Sequence, residues 1–217
     1  MNIINLTQHN ATNEQIEFGV VELQNKKEVR DLITFEKLPT KEEIDERAKK
    51  LVEICKKGTH DGQITPVAMI GGAPYFMSKL EKVLIENGVL PLYAYTKRVC
   101  KETTLPDGNV KKITVFRHEG FCSPVSLEDL TIAVNGLATY PISHPLEQFD
   151  TFIHALKSID EGFYTKSLKK VRSSTEMFIS LCKHNNEQLS ATDCLYQKVV
   201  NLGCVLAAKA ELLGVFE

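Results

Sequence analysis

The chain has 217 residues, 43% apolar and 25% charged, with a net charge of −2 and a pI near 6.3. That length suits one large domain or two small ones, and the composition is that of a folded globular protein. The charge balance argues against bulk duplex nucleic acid as a partner, but not against a small anionic ligand in a local pocket.

Asn2-Ile3-Ile4-Asn5-Leu6 reads as a short strand, and Thr7-Gln8-His9-Asn10 is its polar exit. Thr12 and Gln15 have capping-box spacing, which predicts a short helix ending near Gly19. A second strand is expected at 20–23 and a helix at 26–35, with Val29, Leu32 and Ile33 on one face. Thr40 and Glu43 form the next capping box; Ile44, Ala48, Leu51, Val52 and Cys55 make the apolar stripe of a helix that Gly58 ends. Pro66–Ile70 is the next buried strand, followed by Gly71-Gly72-Ala73 and a helix from Pro74 to about Asn87. Strand, helix, strand, helix, strand is the signature of a mostly parallel α/β sheet flanked by helices.

The stretch 90–121 carries most of the functional argument. Leu90-Pro91-Leu92-Tyr93-Ala94-Tyr95 is a buried strand, and Thr96-Lys97-Arg98 is read as lying at its C-terminal end. Two further extended runs, 99–105 and 110–116, flank Pro106-Asp107-Gly108, whose turn chemistry predicts an edge hairpin. The hairpin ends in Phe116-Arg117-His118-Glu119-Gly120-Phe121. The texture then changes: Pro124, Pro141 and Pro145 mark a linker with a short helix at 127–134. Helices are expected at 146–159, 162–183 and 190–213, the last capped by Ser190. The domains are thus 1–122 (α/β), 123–145 (linker) and 146–217 (all-α).

Ligands of parallel sheets sit beyond the carboxyl ends of the strands. Those ends carry Thr7-Gln8-His9, Gly71-Gly72-Ala73 and Thr96-Lys97-Arg98, which are expected to converge. Glycines between a strand and a helix let backbone N–H groups approach a phosphate; a plain tight turn is the alternative. Arg98 offers a planar fork for phosphate and Lys97 a point charge, with a surface salt-bridge cluster as the alternative. His9 and His118, the latter beside Arg117, are candidate proton donors or acceptors. No His, Asp or Glu grouping has metal-ligand spacing, so neither a metal nor another cofactor is expected. Six cysteines (Cys55, Cys100, Cys122, Cys182, Cys194, Cys204) are scattered without a CxxC pair. Free thiols in a cytoplasmic protein are the reading. No apolar run approaches the roughly 18 residues of a membrane span, and the N-terminus lacks the order of a secretory signal.

The run Pro91 to Arg98, Glu102, Leu105-Pro106-Asp107-Gly108-Asn109-Val110, then Val115-Phe116-Arg117-His118 and Phe121 resembles small CRISPR-associated proteins of the CARF type, including stand-alone ring nucleases. Asn5 to Gln15 is similar to their first strand and the polar segment after it. The resemblance covers about residues 1–122 and leaves the helical tail unmatched. Where a "QGDFG"-like element is expected, this chain has Met69-Ile70-Gly71-Gly72-Ala73-Pro74. The resemblance implies a Rossmann-like, CARF-like homodimer in antiviral defence that binds a cyclic oligoadenylate across its two-fold axis. If the ring is cut, the resemblance implies metal-independent attack of a ribose 2′-OH on the adjacent phosphate. Arg98 and Lys97 would stabilise the developing charge, and His9 or His118 would move the proton. Thr7, Gln8, Gly71, Gly72, Ala73, Thr96 and Arg117 would contact the ligand. Two alternatives stand beside this: a sensor or sponge that binds without cutting, its helical tail facing a partner, and an interaction protein without a nucleotide.

Overall fold

The central parallel strands, at 3–5 and 67–69, are short and buried, as parallel strands covered on both faces must be. In the computed structural model, which describes residues 2–58, 66–104, 110–126, 154–159, 162, 168–185 and 194–212, five strands form one mixed sheet. They are β1 (Ile3–Asn5), β2 (Val20–Val21), β3 (Val67–Met69), β4 (Leu90–Thr104) and β5 (Val110–Cys122). The order is β2-β1-β3-β4-β5. The first three junctions are parallel and β4–β5 is antiparallel. The chain steps from β1 to one side and returns on the other, so the winding reverses between β1 and β3. That crevice is where open α/β sheets bind ligands.

Helices α1 (Asn13–Glu17), α2 (Lys26–Ile33), α3 (Lys41–Gly58) and α4 (Pro74–Glu86) fall where their caps and apolar stripes predict. The Thr12–Gln15 capping box forms in both directions. Alternation along the strands divides the core in two. Ile4, Leu6, Ala68 and Ile70 pack with Val29, Ile33, Leu51, Phe76 and Leu80 of α2, α3 and α4. Ile3, Val67, Met69, Leu90 and Leu92 face the other way. There they meet Ala155, Leu156 and Ile159, Val171 and Phe178 of α5 (Leu168–Asn185), and Val205 and Leu206 of α6 (Cys194–Leu212). The C-terminal helices therefore close the second face of the sheet. Asn201 of α6 donates from Nδ2 to the Glu86 carbonyl at 2.7 Å, tying α6 to the end of α4. At the turn beyond, Gly88 has φ +77° and a Cβ there would stand 3.0 Å from the Asn201 Cα.

The hairpin differs from the sequence expectation. β4 runs unbroken from Leu90 to Thr104, so Thr96-Lys97-Arg98 lies mid-strand and not at a strand end. Register pairs continue from Tyr93↔Cys122 to Thr104↔Val110, with one irregularity at Tyr95/Thr96 where Glu119 is the extra residue. Charge does not end a strand when both faces of the ribbon meet solvent, and Thr96, Lys97 and Arg98 are all exposed. The turn at 106–108, the helix at 127–134 and the Ser190 cap lie outside the described residues. No described helix is long and apolar enough to cross a membrane.

Candidate functional site

The loops after β1 and β3 meet in a cleft of about 670 Å³. Such a volume falls in the range of small-molecule sites, roughly 300–1,000 Å³. Thr7, Gln8, His9 and Asn10 form one wall, Gly71, Gly72 and Ala73 another, and Thr34, Phe35, Tyr75 and Tyr93 complete the rim.

Asn5 organises the first wall. It is fully buried at the end of β1, a polar residue in an apolar strand. Its Oδ1 accepts from the Thr7 N–H at 2.9 Å and the Thr7 hydroxyl at 2.8 Å. Its Nδ2 donates to the His9 carbonyl at 3.0 Å and to Glu22 Oε1 at 2.7 Å. The same Glu22 oxygen accepts from the Ala11 N–H, and Lys26 pairs with the carboxylate at 2.9 Å. Burial raises the Glu22 pKa, but the Ala11 N–H, Lys26 and Asn5 together outweigh it and hold the carboxyl below its usual value. Gln8 Nε2 and His9 Nε2 lie 3.0 Å apart at the mouth. The second wall has no side chains at 71 and 72: a Cβ at Gly71 would make an ordinary contact with Thr7 Cγ2 at 3.6 Å, and one at Gly72 would crowd Met77 Cε at 3.2 Å. The α4 N-terminus follows, with Pro74 at its start.

Behind the rim, Arg47 of α3 donates to the carbonyls of Asp31 at 2.8 Å and Thr34 at 2.7 Å, fixing the end of α2. Tyr93 bonds Glu81; burial first, then that carboxylate, raises the phenol pKa well above its usual value.

Thr7, Gln8, His9, Gly71, Gly72 and Ala73 are thus brought together as expected. Thr96, Lys97, Arg98, Arg117 and His118 do not line the cleft; they sit on the hairpin. Lys97 and Arg117 are direct cross-strand partners, and Arg117 pairs with Glu119, whose carboxyl is held below its usual value mainly by that hydrogen bond. Arg98 reaches Thr114 at 3.4 Å. Asn5, Phe35 and Tyr75 were missed by pattern reading. Asn5 and Tyr75 each left one signal: a polar residue inside an apolar strand, and a tyrosine off the apolar stripe of α4.

His118 is 7% exposed and wedged between Phe18 (5.2 Å between centroids) and Phe121 (4.7 Å), so it clamps the hairpin onto the end of α1. Neither ring nitrogen has a hydrogen-bond partner among the described residues. Burial pushes the imidazole below its ordinary value, and the Glu14 carboxylate opposes this only in part. The unfolded chain therefore takes up the proton first as pH falls through about 6.5. Stability tied to the neutral ring is present above that pH and is lost in acid. His118→Phe is expected to flatten the fall of Tm between about pH 7 and pH 5; parallel curves for variant and wild type would refute this.

A family model described as the uncharacterized protein MJ1673 family matches residues 1–122, which is more than half of the chain and ends where β5 ends. No curated protein and no solved structure matches. The chain belongs to the MJ1673 family.

Proposed function

We propose that this member of the MJ1673 family binds a cyclic oligonucleotide second messenger of the cyclic oligoadenylate class, as a cytoplasmic homodimer with a Rossmann-like, CARF-like core. One observation carries the reading: two loops more than sixty residues apart in sequence line one polar cleft at the winding reversal. Phosphate would be met by backbone N–H groups of Gly71, Gly72 and Ala73 and by the favourable end of the α4 dipole. Gln8 and His9 supply side-chain donors beside that turn, and Thr7, whose N–H and hydroxyl are given to Asn5 Oδ1, holds their loop against it. A ring with two-fold symmetry suits two such clefts brought together by an isologous interface. The hairpin sequence that resembles CARF-type proteins supports the same ligand class.

Binding without cleavage is the form the cleft favours. Of Arg98, Lys97, His9 and His118, His9 alone lines it. Cleavage would form a bond from O2′ to phosphorus and break the P–O5′ bond, leaving a 2′,3′-cyclic phosphate and a 5′-hydroxyl. Arg98 or Lys97 would then have to reach the developing charge.

Incubating the full chain with cyclic tri-, tetra- and hexa-adenylate tests both forms. One ring at 100 times its dissociation constant is expected to add about 2.7 kcal/mol of stability without linear product. No stabilisation by any ring would refute binding. Linear product that disappears in Arg98→Ala would make the protein a ring nuclease.

A further inference from the structure

The polar loops do not account for the aromatic wall of the cleft. Tyr75 is the second residue of α4, directly after the Gly71–Pro74 turn, and it is 53% exposed while lining the cleft. The next two residues, Phe76 and Met77, are buried in the core beneath. Phe35 stands beside Tyr75 on the same wall, edge to face, with centroids 5.7 Å apart and planes at 62°. Phe35 is braced in turn. Phe76 lies 5.3 Å from it, and the Arg47 guanidinium sits 4.3 Å over its ring, anchored on backbone carbonyls. A tyrosine left half open to a polar cleft, held by an immobilised second ring, is a stacking platform with little ordering cost left to meet on binding.

We infer that Tyr75 is the base-stacking residue of this cleft. The ligand is recognised as a nucleotide, its base on Tyr75 and a phosphate at the adjoining Gly71–Ala73 turn. The inference rests on the reading of the cleft as a nucleotide site and adds to it which side chain demands a base. A sugar phosphate satisfies the glycine turn equally well but has no π-face for the ring. The amides of Gln8 and Asn10, which line the same cleft, carry both donors and acceptors for a base edge.

Calorimetric titration of the full chain with 5′-AMP, cyclic tetra-adenylate and ribose 5-phosphate decides it. Tyr75→Ala is expected to weaken adenylate binding about 5- to 100-fold, Tyr75→Phe no more than about twofold, and ribose 5-phosphate is to be indifferent to either change. Unchanged adenylate affinity in Tyr75→Ala overturns the inference. So do equal losses for adenylate and ribose 5-phosphate, which would make Tyr75 a support of the cleft's shape. If wild type binds 5′-AMP but no ring, and Tyr75→Ala loses it, the stacking role stands and the ring ligand falls. A wild type that binds none of the three overturns both.

Discussion

Phe178→Ala is expected to destabilise the protein by about 3–5 kcal/mol, the cost of emptying a fully packed aromatic site. The Phe178 ring is completely buried on α5 and presses on Gly203 of α6, where any Cβ would overlap it. That close approach lets α5 and α6 lie together over Ile3, Val67, Leu90 and Leu92. The glycine leaves no side chain that could swing into the void, so the cavity persists. Against a typical total of about 5–15 kcal/mol the loss is large, and the melting temperature should fall by roughly 6–20 °C. Calorimetric unfolding checks it. A change of under about 1 kcal/mol would mean that the C-terminal helices do not share the core of the sheet.

The second large effect is at Asn5. Asn5→Ala removes the partner of the Thr7 N–H and of the Thr7 hydroxyl, and a donor to the His9 carbonyl and to Glu22. Stability should fall by about 1–3 kcal/mol, the cost of leaving buried polar groups unmatched. Ligand affinity should suffer more than stability predicts, because Thr7, Gln8 and His9 take their positions from this side chain. Asn5→Asp is expected to be no rescue: it cannot donate to the His9 carbonyl, and it sets a second carboxylate against Glu22. Thermal melts and nucleotide titrations of both variants separate the two effects. Full affinity in Asn5→Ala would refute the organising role.

Much of the architecture was legible locally. The Thr12–Gln15 capping box, the stripe from Ile44 to Cys55 and the short buried strands Ile3–Asn5 and Val67–Met69 each state their structure within a few residues. The glycine turn before α4 and the polar exit of β1 were legible as loops that meet, because strand ends and helix starts are marked by composition. Local pattern was blind to partnership. Thr96-Lys97-Arg98 looks like a strand end to any reading that lets charge end a strand. Only pairing with β5 reveals that β4 runs on to Thr104 and carries those cations away from the cleft.

The sequence by itself determined α1 to α4, the buried strands β1 and β3 and the two loops that meet at the winding reversal, since periodicity and capping are properties of neighbours in the chain. The tertiary structure alone decided the sheet order, the use of α5 and α6 to cover its second face, the clamping of His118 onto α1, and the aromatic wall of Phe35 and Tyr75. Those depend on contacts between residues tens of positions apart, and hydrophobic period records that a face is buried without recording what buries it.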